Sequence, residues 1–403
     1  MIWDRWIYCF AGFLLLITLA MTGCEDTIEK TTQIFSSSRQ TPKYAQSQPI
    51  AHQVEAGEML GFYHSLAVAG GTPALAYQSP AGLRYAHSDE GLPGDAENWT
   101  AHTVDPDPRS GIAVELVVCG DQPVLIYRSG DRESLEQRFA AAQTAEPQSA
   151  EDWATGVFPE SLGLRDPDCA AVIDGRPAFV TTNTATGQLI YVYASKAAPV
   201  SSADWRAIPV TEDSVLKQSP RLVEIDGVPV VAYITAGRDQ AVIATADSAR
   251  PTYPGNWTAE VAAETPELEA GCFDCTVADG APVLVHCLVK ASTMAYTSSS
   301  VDTEGNVTWR TDKVADWRDH SYGIDLIFDG TTPVAANSLK SKVVLVNPAA
   351  TGLNDTENWE MRKASPNGRL DARNCQAVHV DNRTVVSYFK FAPDEGLYVS
   401  VVY

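Results

Sequence analysis

Basic residues are scarce in this chain of 403 residues. Its 29 Lys and Arg residues stand against 51 Asp and Glu residues, which leaves a formal net charge of −22. Because basic patches supply most of the affinity of proteins for nucleic acids, this balance excludes a nucleic-acid partner. It also disfavours docking on anionic lipid headgroups, and such an excess of acid favours solubility.

Several motifs that carry chemistry are missing as well. The sequence contains no Ser/His/Asp signature, no phosphate-binding glycine loop and no heptad repeat. None of its acidic turns has the dense D-x-[DN]-x-[DN]-G spacing of a dedicated calcium loop, so calcium binding is expected to be weak at most. We therefore expect no cofactor and no metal centre.

A long apolar run occurs once, at residues 6–21 (WIYCFAGFLLLITLAM). It is shorter than the ~20 residues that a membrane-spanning helix needs, and Met-Thr-Gly-Cys completes it. This arrangement resembles the lipobox of bacterial lipoproteins, which implies a signal peptide over residues 1–23 and lipidation of Cys24. An uncleaved signal anchor is the alternative. Residues 24–48 are polar, so we expect a flexible tether to a domain in the periplasm or at the cell surface.

Two markers recur at one interval through the rest of the chain. Prolines separated by 50, 54, 52, 53 and 51 residues follow turns such as AGGTP and IDGVP, and they are Pro73, Pro123, Pro177, Pro229, Pro282 and Pro333. A seventh copy has Thr384 in place of proline. Tryptophans keep the same interval: Trp99, Trp153, Trp205, Trp257, Trp309 and Trp359. Together the two markers predict an internal repeat.

Each repeat is predicted to contain four short strands, A to D. Strand A precedes the turn, and strand B follows the proline, which suits the first residue of a strand because it has no N–H. Asp-Gly pairs in the turns favour hairpins, since both residues tolerate positive φ. Strand D begins at the tryptophan. Seven A strands are predicted, near Leu66, Leu116, Ala171, Val223, Val277, Leu326 and Val378.

A single four-stranded meander cannot bury both of its faces, whereas copies stacked around an axis can. The repeat therefore predicts an all-β, seven-bladed β-propeller of four-stranded antiparallel blades over residues 49–403, with six or eight blades as alternatives. The last repeat lacks a strand D, and residues 50–54 resemble one. We expect them to complete the last blade beside residues 397–402 and so to close the ring.

The repeat resembles the sialidase-like propellers, whose loops between strands C and D carry the pattern Ser-x-Asp-x-Gly-x-x-Trp. The segment SVDTEGNVTW supplies Ser300, Asp302, Gly305 and Trp309 with two additional residues. The resemblance implies the blade architecture and little about chemistry.

Sialidases bind the substrate carboxylate with three arginines and use a tyrosine paired with a glutamate. The resemblance makes Arg109, Arg165 and Arg373 candidates for the arginines and Tyr63 or Tyr322 for the tyrosine. The Arg-Ile-Pro segment of true sialidases is absent, and no Tyr/Glu pair stands out.

Six cysteines follow Cys24, and the repeat predicts a partner for two of them. If Asp279-Gly280 forms a two-residue turn, the sequence numbers of two residues that face each other across the hairpin sum to 559. Cys272 then lies opposite Cys287 at a Cα separation of about 5.5 Å or less. Disulfides are permitted outside the cytoplasm, so this pair is a disulfide candidate. Cys272 and Cys275 would instead form a redox pair or half a zinc site, but no second CxxC or suitably spaced His follows.

Charge divides between the two rims of the predicted propeller. The A–B and C–D loops are rich in Asp and Glu, whereas the D–A and B–C loops, which surround the mouth of the channel, carry eleven Arg and Lys residues together with five Asp residues. The planar guanidinium of arginine can donate hydrogen bonds to both oxygens of a carboxylate ligand. The candidate ligand-binding residues at the mouth are His64, Arg109, Arg165, Arg238, His320 and Arg373. Solvated loop charges paired with neighbouring acids are the alternative.

These observations favour a monomeric, lipid-anchored binding scaffold for an acidic glycan or a protein partner, without enzymatic activity. The alternative is a sialidase-like glycoside hydrolase or lyase that uses the cation-rich mouth. The fold alone weighs little in this choice, because propellers host many unrelated functions.

Overall fold

Seven four-stranded antiparallel sheets form a closed propeller. The computed structural model describes residues 49–57, 60–131, 135–215, 219–264, 268–288, 293–301, 303, 307–316, 321–328, 332–339, 342–348, 359–365, 372–391 and 395–402. Six sheets are meanders of four consecutive strands, and the seventh combines the first strand with the last three. The predicted all-β fold and blade number are confirmed.

The strands follow the predicted repeat. Strand β1 (Ile50–Ala56) precedes blade 1, which comprises β2 (His64–Ala69), β3 (Thr72–Ser79), β4 (Gly82–Ser88) and β5 (Trp99–Asp105). Blade 2 comprises β6 (Ile112–Cys119), β7 (Gln122–Ser129), β8 (Glu136–Ala142) and β9 (Trp153–Val157), and blade 3 comprises β10 (Leu164–Ile173), β11 (Arg176–Asn183), β12 (Gln188–Ala194) and β13 (Trp205–Ser214). Blade 4 comprises β14 (Arg221–Ile225), β15 (Val228–Ile234), β16 (Gln240–Ala246) and β17 (Trp257–Glu264).

The second half of the ring repeats this arrangement. Blade 5 comprises β18 (Leu268–Ala278), β19 (Ala281–Leu288), β20 (Thr293–Val301) and β21 (Val307–Asp316). Blade 6 comprises β22 (Ser321–Phe328), β23 (Pro333–Leu339), β24 (Lys342–Pro348) and β25 (Trp359–Lys363). Blade 7 comprises β26 (Ala372–Val380), β27 (Arg383–Lys390), β28 (Gly396–Val402) and β1.

Strand β1 closes the ring as predicted. It pairs antiparallel with β28, with Ile50 opposite Val401 and Gln53 opposite Tyr398. The first and last described strands therefore share one sheet, and the edge of β28 is covered by the chain itself. Covering an edge in this way removes a template for intermolecular strand pairing.

Apolar clusters fill all seven gaps between neighbouring blades. The cluster between blades 1 and 2, for example, includes Tyr85, Tyr127 and Trp153, and the cluster between blades 7 and 1 includes Tyr77, Trp99 and Leu397. Strands B and C contact a neighbouring blade on each face, which is why they are buried runs of apolar residues. Consecutive A strands contact one another around the ring and so line the central channel.

The loop before strand D explains the Asn or Asp that precedes each tryptophan in blades 1–4. In blade 1, Asn98 Oδ1 accepts hydrogen bonds from the N–H groups of Gly94 and Asp95 at 2.9 and 3.0 Å. A short side chain with an oxygen at this point closes the loop, as an N-cap residue does for a helix. One-turn 3-10 helices contain the equivalent residues: Ala96–Asn98, Ala150–Asp152, Ser202–Asp204 and Pro254–Asn256.

Blade 5 departs from the prediction at strand D. Strand β21 begins at Val307, two residues before Trp309, because Val301 and Val307 still pair across the hairpin. The predicted Asp-box match in this loop includes Asp302 and Gly305, which lie outside the described residues.

The Asp-Gly turns between strands A and B adopt the left-handed conformation that was expected. Asp174 and Gly175 have φ values of 49° and 71°, and Asp279 and Gly280 have values of 52° and 76°. Two consecutive positive φ angles match the twist of the flanking strands.

The predicted signal peptide, Cys24 and the tether lie outside the described residues. Within the part of the chain that is described, no helix has the length and apolar character needed to cross a membrane.

Candidate functional site

The mouth of the propeller is formed by the D–A and B–C loops. Strands in each blade alternate in direction, so these two kinds of loop lie on one rim and the A–B and C–D loops lie on the other. The six residues predicted to bind a ligand differ in where the structure places them.

His64 lies in the interior rather than on the mouth surface. Its side chain is buried between blades 7 and 1, and Nδ1 lies 2.8 Å from the carbonyl oxygen of Gly61. Burial lowers the pKa of the imidazole to about 4, so the ring is neutral at physiological pH. A neutral, buried ring is not placed to contact a ligand at the mouth.

Arg109 is on the mouth, but its charge is already paired. Its Nε and Nη2 atoms bond both carboxylate oxygens of Asp107 at 3.0 and 2.9 Å, and Nη1 lies 3.9 Å from Asp131. This is the ion-paired arrangement that sequence reasoning left open as the alternative.

Arg165 and Arg238 are both on the mouth. Arg165 follows the first residue of β10, is half-buried, and makes no hydrogen bond or ion pair with another described residue. Arg238 is exposed in the loop between β15 and β16, has a φ of 61°, and accepts a bond from the N–H of Leu268 through its carbonyl oxygen. Arg165 is therefore a half-buried cation available to a ligand.

The remaining candidates are only partly described. His320 lies outside the described residues, and Arg373 and Tyr322 lie in strands whose side chains are not described at those positions. Their proposed contacts stay predictions.

A group of side chains from four successive blades marks the mouth, and we call it the mouth cluster: Phe62, Tyr63, Arg128, Asp166 and Phe391. Arg128 Nη1 contacts Asp166 Oδ1 at 2.5 Å, and Arg128 Nη2 donates to the carbonyl oxygen of Leu135 at 3.3 Å. Burial, together with the negative charge of Asp166, raises the pKa of Tyr63. A neutral phenol therefore lies within the electrostatic reach of a carboxylate held by a guanidinium.

Aromatic rings form one side of the mouth cluster. Phe62 makes edge-to-face contacts with Tyr63, Phe389 and Phe391, with ring centroids 5.0, 5.6 and 6.2 Å apart. Phe389 is fully buried, whereas Phe62 and Phe391 are half-buried. The half-buried rings present apolar surface beside the charged groups.

Two buried tyrosine–carboxylate pairs that sequence reasoning missed join blades near this rim. The hydroxyl of Tyr77 donates to Glu55 at 2.5 Å, and that of Tyr127 donates to Asp105 at 2.9 Å. An arginine completes each group: Arg84 lies 3.3 Å from Glu55, and Arg138 lies 3.2 Å from Asp105. Because the arrangement recurs at two neighbouring interfaces and both rings are fully buried, it holds blades together rather than serving as a sialidase nucleophile.

A second ring of side chains surrounds the central channel, and we call it the channel ring. Its members occupy one equivalent position on the seven A strands, each opposite the third residue after the proline of its repeat or after Thr384. They are Ser65, Glu115, Cys169, Arg221, Asp274, Asp325 and Gln376. In the sequence each lies eight residues before the proline of its repeat, or before Thr384. That constant offset is the signal that could have found them.

Members of the channel ring bond the backbone of the next blade. Ser65 Oγ accepts from the N–H of Leu116 at 2.9 Å, and Gln376 Oε1 accepts from the N–H of Leu66 at 2.6 Å. Equivalent bonds run from Leu326 to Asp274, from Ala377 to Asp325 and from Ala170 to Glu115. The thiol of Cys169 lies 3.8 Å from the carbonyl oxygen of Leu222.

Arg221 breaks this pattern, because a guanidinium cannot accept a hydrogen bond. Its Nε atom instead contacts Asp274 Oδ1 at 2.8 Å, and Nη1 donates to the carbonyl oxygens of Pro220 and Asp168 at 2.9 and 3.5 Å. The inter-blade contacts thus continue around the whole ring.

Burial raises the pKa of the carboxyl groups in the channel ring. Burial raises the pKa of Glu115 to about 8, with the charges of Asp168 and Asp274 acting in the same direction and Arg221 opposing them. Burial and the charge of Asp274 raise the pKa of Asp325 well above its usual value.

The strand pairing beside the cysteines of blade 5 has the predicted register. Phe273 lies opposite His286 and Asp274 opposite Val285, so opposed residues sum to 559 next to Cys272, although the pairing shifts between Leu268 and Phe273. Cys272 and Cys287 belong to one buried cluster. The structure carries them as thiols, and the disulfide between them stays a prediction.

No group of three or more His, Cys, Asp or Glu side chains within the described ranges is arranged to hold a metal ion. The mouth cluster presents phenol, carboxylate, guanidinium and aromatic groups.

The comparisons with known proteins match the fold. No protein-family model matches the chain, and no match was found among curated proteins. Among solved structures, the polysaccharide lyase Uly1 has a TM-score of 0.53 at 11% identity, covering 91% of this chain and 93% of that one. Trypanosoma rangeli sialidase has a TM-score of 0.46 at 10% identity, covering 89% and 58%. The GH43_1 enzyme from Xanthomonas citri has a TM-score of 0.36 at 11% identity, covering 64% and 92%.

The likeness to Uly1 supports the propeller at the level of fold, and one expectation is corrected. The sequence favoured a protein without enzymatic activity, whereas these neighbours are all enzymes. The expectation failed because it rested on missing sialidase motifs, and a shared propeller can carry different catalytic groups. The chain shares its propeller fold with the polysaccharide lyase Uly1.

Proposed function

We propose that this chain is an enzyme that cleaves an acidic polysaccharide by elimination at the mouth of the propeller. The observation that carries the proposal is the mouth cluster, in which Arg128 holds Asp166 and the charge of Asp166 acts on Tyr63. These side chains supply a proton acceptor, a proton donor and a cation. An elimination next to a carboxylate needs these three kinds of group.

The proposed reaction moves one proton and breaks one bond in the substrate. The Asp166 carboxylate takes the proton from the carbon beside the uronate carboxylate, the electron pair forms a carbon–carbon double bond, and the bond to the glycosidic oxygen breaks. Tyr63 gives its phenolic proton to that oxygen. Proton exchange with water then restores both side chains.

Electrostatics assign the roles within the cluster. The raised pKa of Tyr63 keeps the phenol protonated at neutral pH, as a proton donor requires. Arg128 is engaged with Asp166 and with the carbonyl oxygen of Leu135, so it positions the acceptor. Arg165 has no partner among the described residues and is left to bind the uronate carboxylate through bidentate hydrogen bonds.

Two further features support a polysaccharide substrate. The half-buried rings of Phe62 and Phe391 offer apolar faces for sugar rings beside the charged groups. The polysaccharide lyase Uly1 shares the fold over 91% of this chain. The net charge of −22 repels a polyanion at long range, but salt screens such repulsion beyond ~8 Å at physiological ionic strength.

The test is to incubate the purified chain with a panel of uronate-containing polysaccharides. Both new reducing ends and the ultraviolet absorbance of an unsaturated uronate are expected to appear. Reducing ends without that absorbance would show hydrolysis and reject elimination, and the absence of both would reject the proposal. Arg165→Gln should raise KM, whereas Arg176→Gln, a matched change on the opposite rim, should have no effect.

We also propose that a lipid on Cys24 anchors the protein at the cell envelope as a monomer, without a nucleic-acid partner. The support is the sequence pattern of residues 6–24. In cells that express the full chain, Cys24→Ala should abolish incorporation of a labelled fatty acid and move the protein out of the membrane fraction. Unchanged labelling would reject the anchor.

A further inference from the structure

The channel ring concentrates carboxyl groups around a single guanidinium. Five of the seven ring positions are ionisable: Glu115 on β6, Cys169 on β10, Arg221 on β14, Asp274 on β18 and Asp325 on β22. Asp168, Cys275 and Cys375 adjoin ring positions in the sequence and lie within electrostatic reach. Blades 1 and 7 contribute Ser65 and Gln376, which do not titrate. One cation therefore faces four carboxyl groups.

Asp274 and Asp325 are the two ring members whose mutual contact requires a proton. Their carboxyl groups are hydrogen-bonded to each other, and two ionised carboxylates cannot form such a bond. Arg221 contacts Asp274 at 2.8 Å and so favours the ionised form there, which leaves the proton on Asp325.

The same two carboxyl groups hold adjacent blades together. Asp274 Oδ2 accepts from the N–H of Leu326 at 2.5 Å, which links blade 5 to blade 6. Asp325 Oδ2 accepts from the N–H of Ala377 at 2.5 Å, which links blade 6 to blade 7. Loss of the shared proton would set two like charges side by side in these links.

We propose that the channel ring is a proton-dependent lock, in which one proton shared by Asp274 and Asp325 keeps blades 5, 6 and 7 closed and its loss at alkaline pH loosens them. The lock is independent of the reaction at the mouth. At neutral pH the ring is closed by the proton, by Arg221 and by the inter-blade amide bonds. In alkaline solution, repulsion between Asp274 and Asp325 weakens the bonds to Leu326 and Ala377 first.

Hydrogen exchange of individual amides tests the lock. As the pH rises above neutrality, the protection factors of the Leu326 and Ala377 amides should fall by up to about tenfold per pH unit, because opening releases one proton. The Leu116 and Leu66 amides, bonded to Ser65 and Gln376 in the same ring, are the internal controls and should lose protection less steeply. Equal behaviour of all four amides would overturn the proposal.

A substitution at Asp325 provides a second test of the proposal. Asp325→Asn retains a donor toward Asp274 without a titrating proton, so its Leu326 protection should be independent of pH, whereas Asp174→Asn on an exposed turn should behave as the parent chain does. If Asp325→Asn does not fold, carboxyl carbon NMR of the parent chain decides. An Asp325 carboxyl that titrates at its ordinary value would overturn the lock, and retention of its proton above neutrality would support it.

Discussion

The indole N–H of Trp153 donates a hydrogen bond to Nε2 of His102 at 3.0 Å, and this bond joins the outer strand of blade 2 to that of blade 1. Trp99 makes the same bond to His52, at 2.8 Å, between blades 1 and 7. An imidazole nitrogen accepts a bond only when it carries no proton, so both rings must be neutral. Burial lowers the pKa of both histidines, in agreement with this role.

Low pH should weaken these two hydrogen bonds between blades. Because the pKa of His102 is lower in the folded state than its unfolded value of about 6.5, the unfolded chain binds more protons, and stability is lost as the pH falls below about 6.5. His102→Gln replaces the nitrogen by an amide oxygen that accepts without titrating. We expect a smaller loss of the urea midpoint between about pH 7 and about pH 5 in this variant. An identical loss in both proteins would contradict the assignment.

Removal of one non-titrating link of the channel ring should destabilise the propeller at every pH. Ser65→Ala leaves the buried N–H of Leu116 without its partner, which costs about 1–3 kcal/mol of unfolding free energy. Ser149→Ala, on an exposed loop of the opposite rim, is the matched control and should cost less. Urea denaturation measures both, and equal effects would argue against the ring as an inter-blade support.

Glu115 should make stability depend on pH above the acid range. Its pKa of about 8 exceeds the unfolded value of about 4.3, so the folded state binds the extra proton and stability falls as the pH rises through this interval. Glu115→Gln removes one proton from the linkage and should make the decline shallower by about 1.4 kcal/mol per pH unit. The Ser65→Ala variant should shift the whole curve without changing its slope. A parent-like slope in Glu115→Gln would show that this carboxyl is ionised.

The mouth cluster should matter for turnover and not for folding. Tyr63→Phe removes the proposed proton donor while retaining the ring, so kcat on a cleaved polysaccharide should fall by about 100-fold to 10,000-fold. Tyr253→Phe, at an exposed tyrosine on the opposite rim, is the control and should keep full activity. Equal activities of the two variants would remove Tyr63 from the reaction.

Ring closure should depend on strand β1. Deletion of residues 1–56 removes the partner of β28, the His52–Trp99 bond and the Glu55–Tyr77 bond, so the product should unfold or aggregate. Deletion of residues 1–48 leaves β1 in place and should give the circular dichroism spectrum and elution volume of a folded monomer. A folded product from the longer deletion would show that blade 7 is stable with three strands.

The architecture was accessible from the sequence because its signals are local and repeated. A proline that begins strand B, an Asp-Gly turn before it and a tryptophan at strand D each act within a few residues. Because the pattern occurs seven times, it remains recognisable although some copies are irregular. Strand D of blade 5 is such an irregular copy, since its hairpin pairs two residues further than the tryptophan predicts. The closing strand was accessible too, because the last repeat visibly lacks a fourth strand.

The site was less accessible, because its members come from different blades. His64 reads as a mouth residue in the sequence, yet packing between blades 7 and 1 buries it. Arg109 is neutralised by Asp107, two residues away, whereas the ion pair of Arg128 is with Asp166 in the next blade. No local pattern distinguishes a paired arginine from an unpaired one.

The sequence by itself therefore determined the number of blades, the turns between their strands and the strand that closes the ring, because each depends on backbone preferences and apolar spacing within one repeat. Only the tertiary structure decided which charges meet. The shared proton of Asp274 and Asp325, the contact of Arg221 with Asp274 and the grouping of Tyr63 with Asp166 arise where separate repeats face one axis. Burial at that axis, rather than any residue alone, sets their charge.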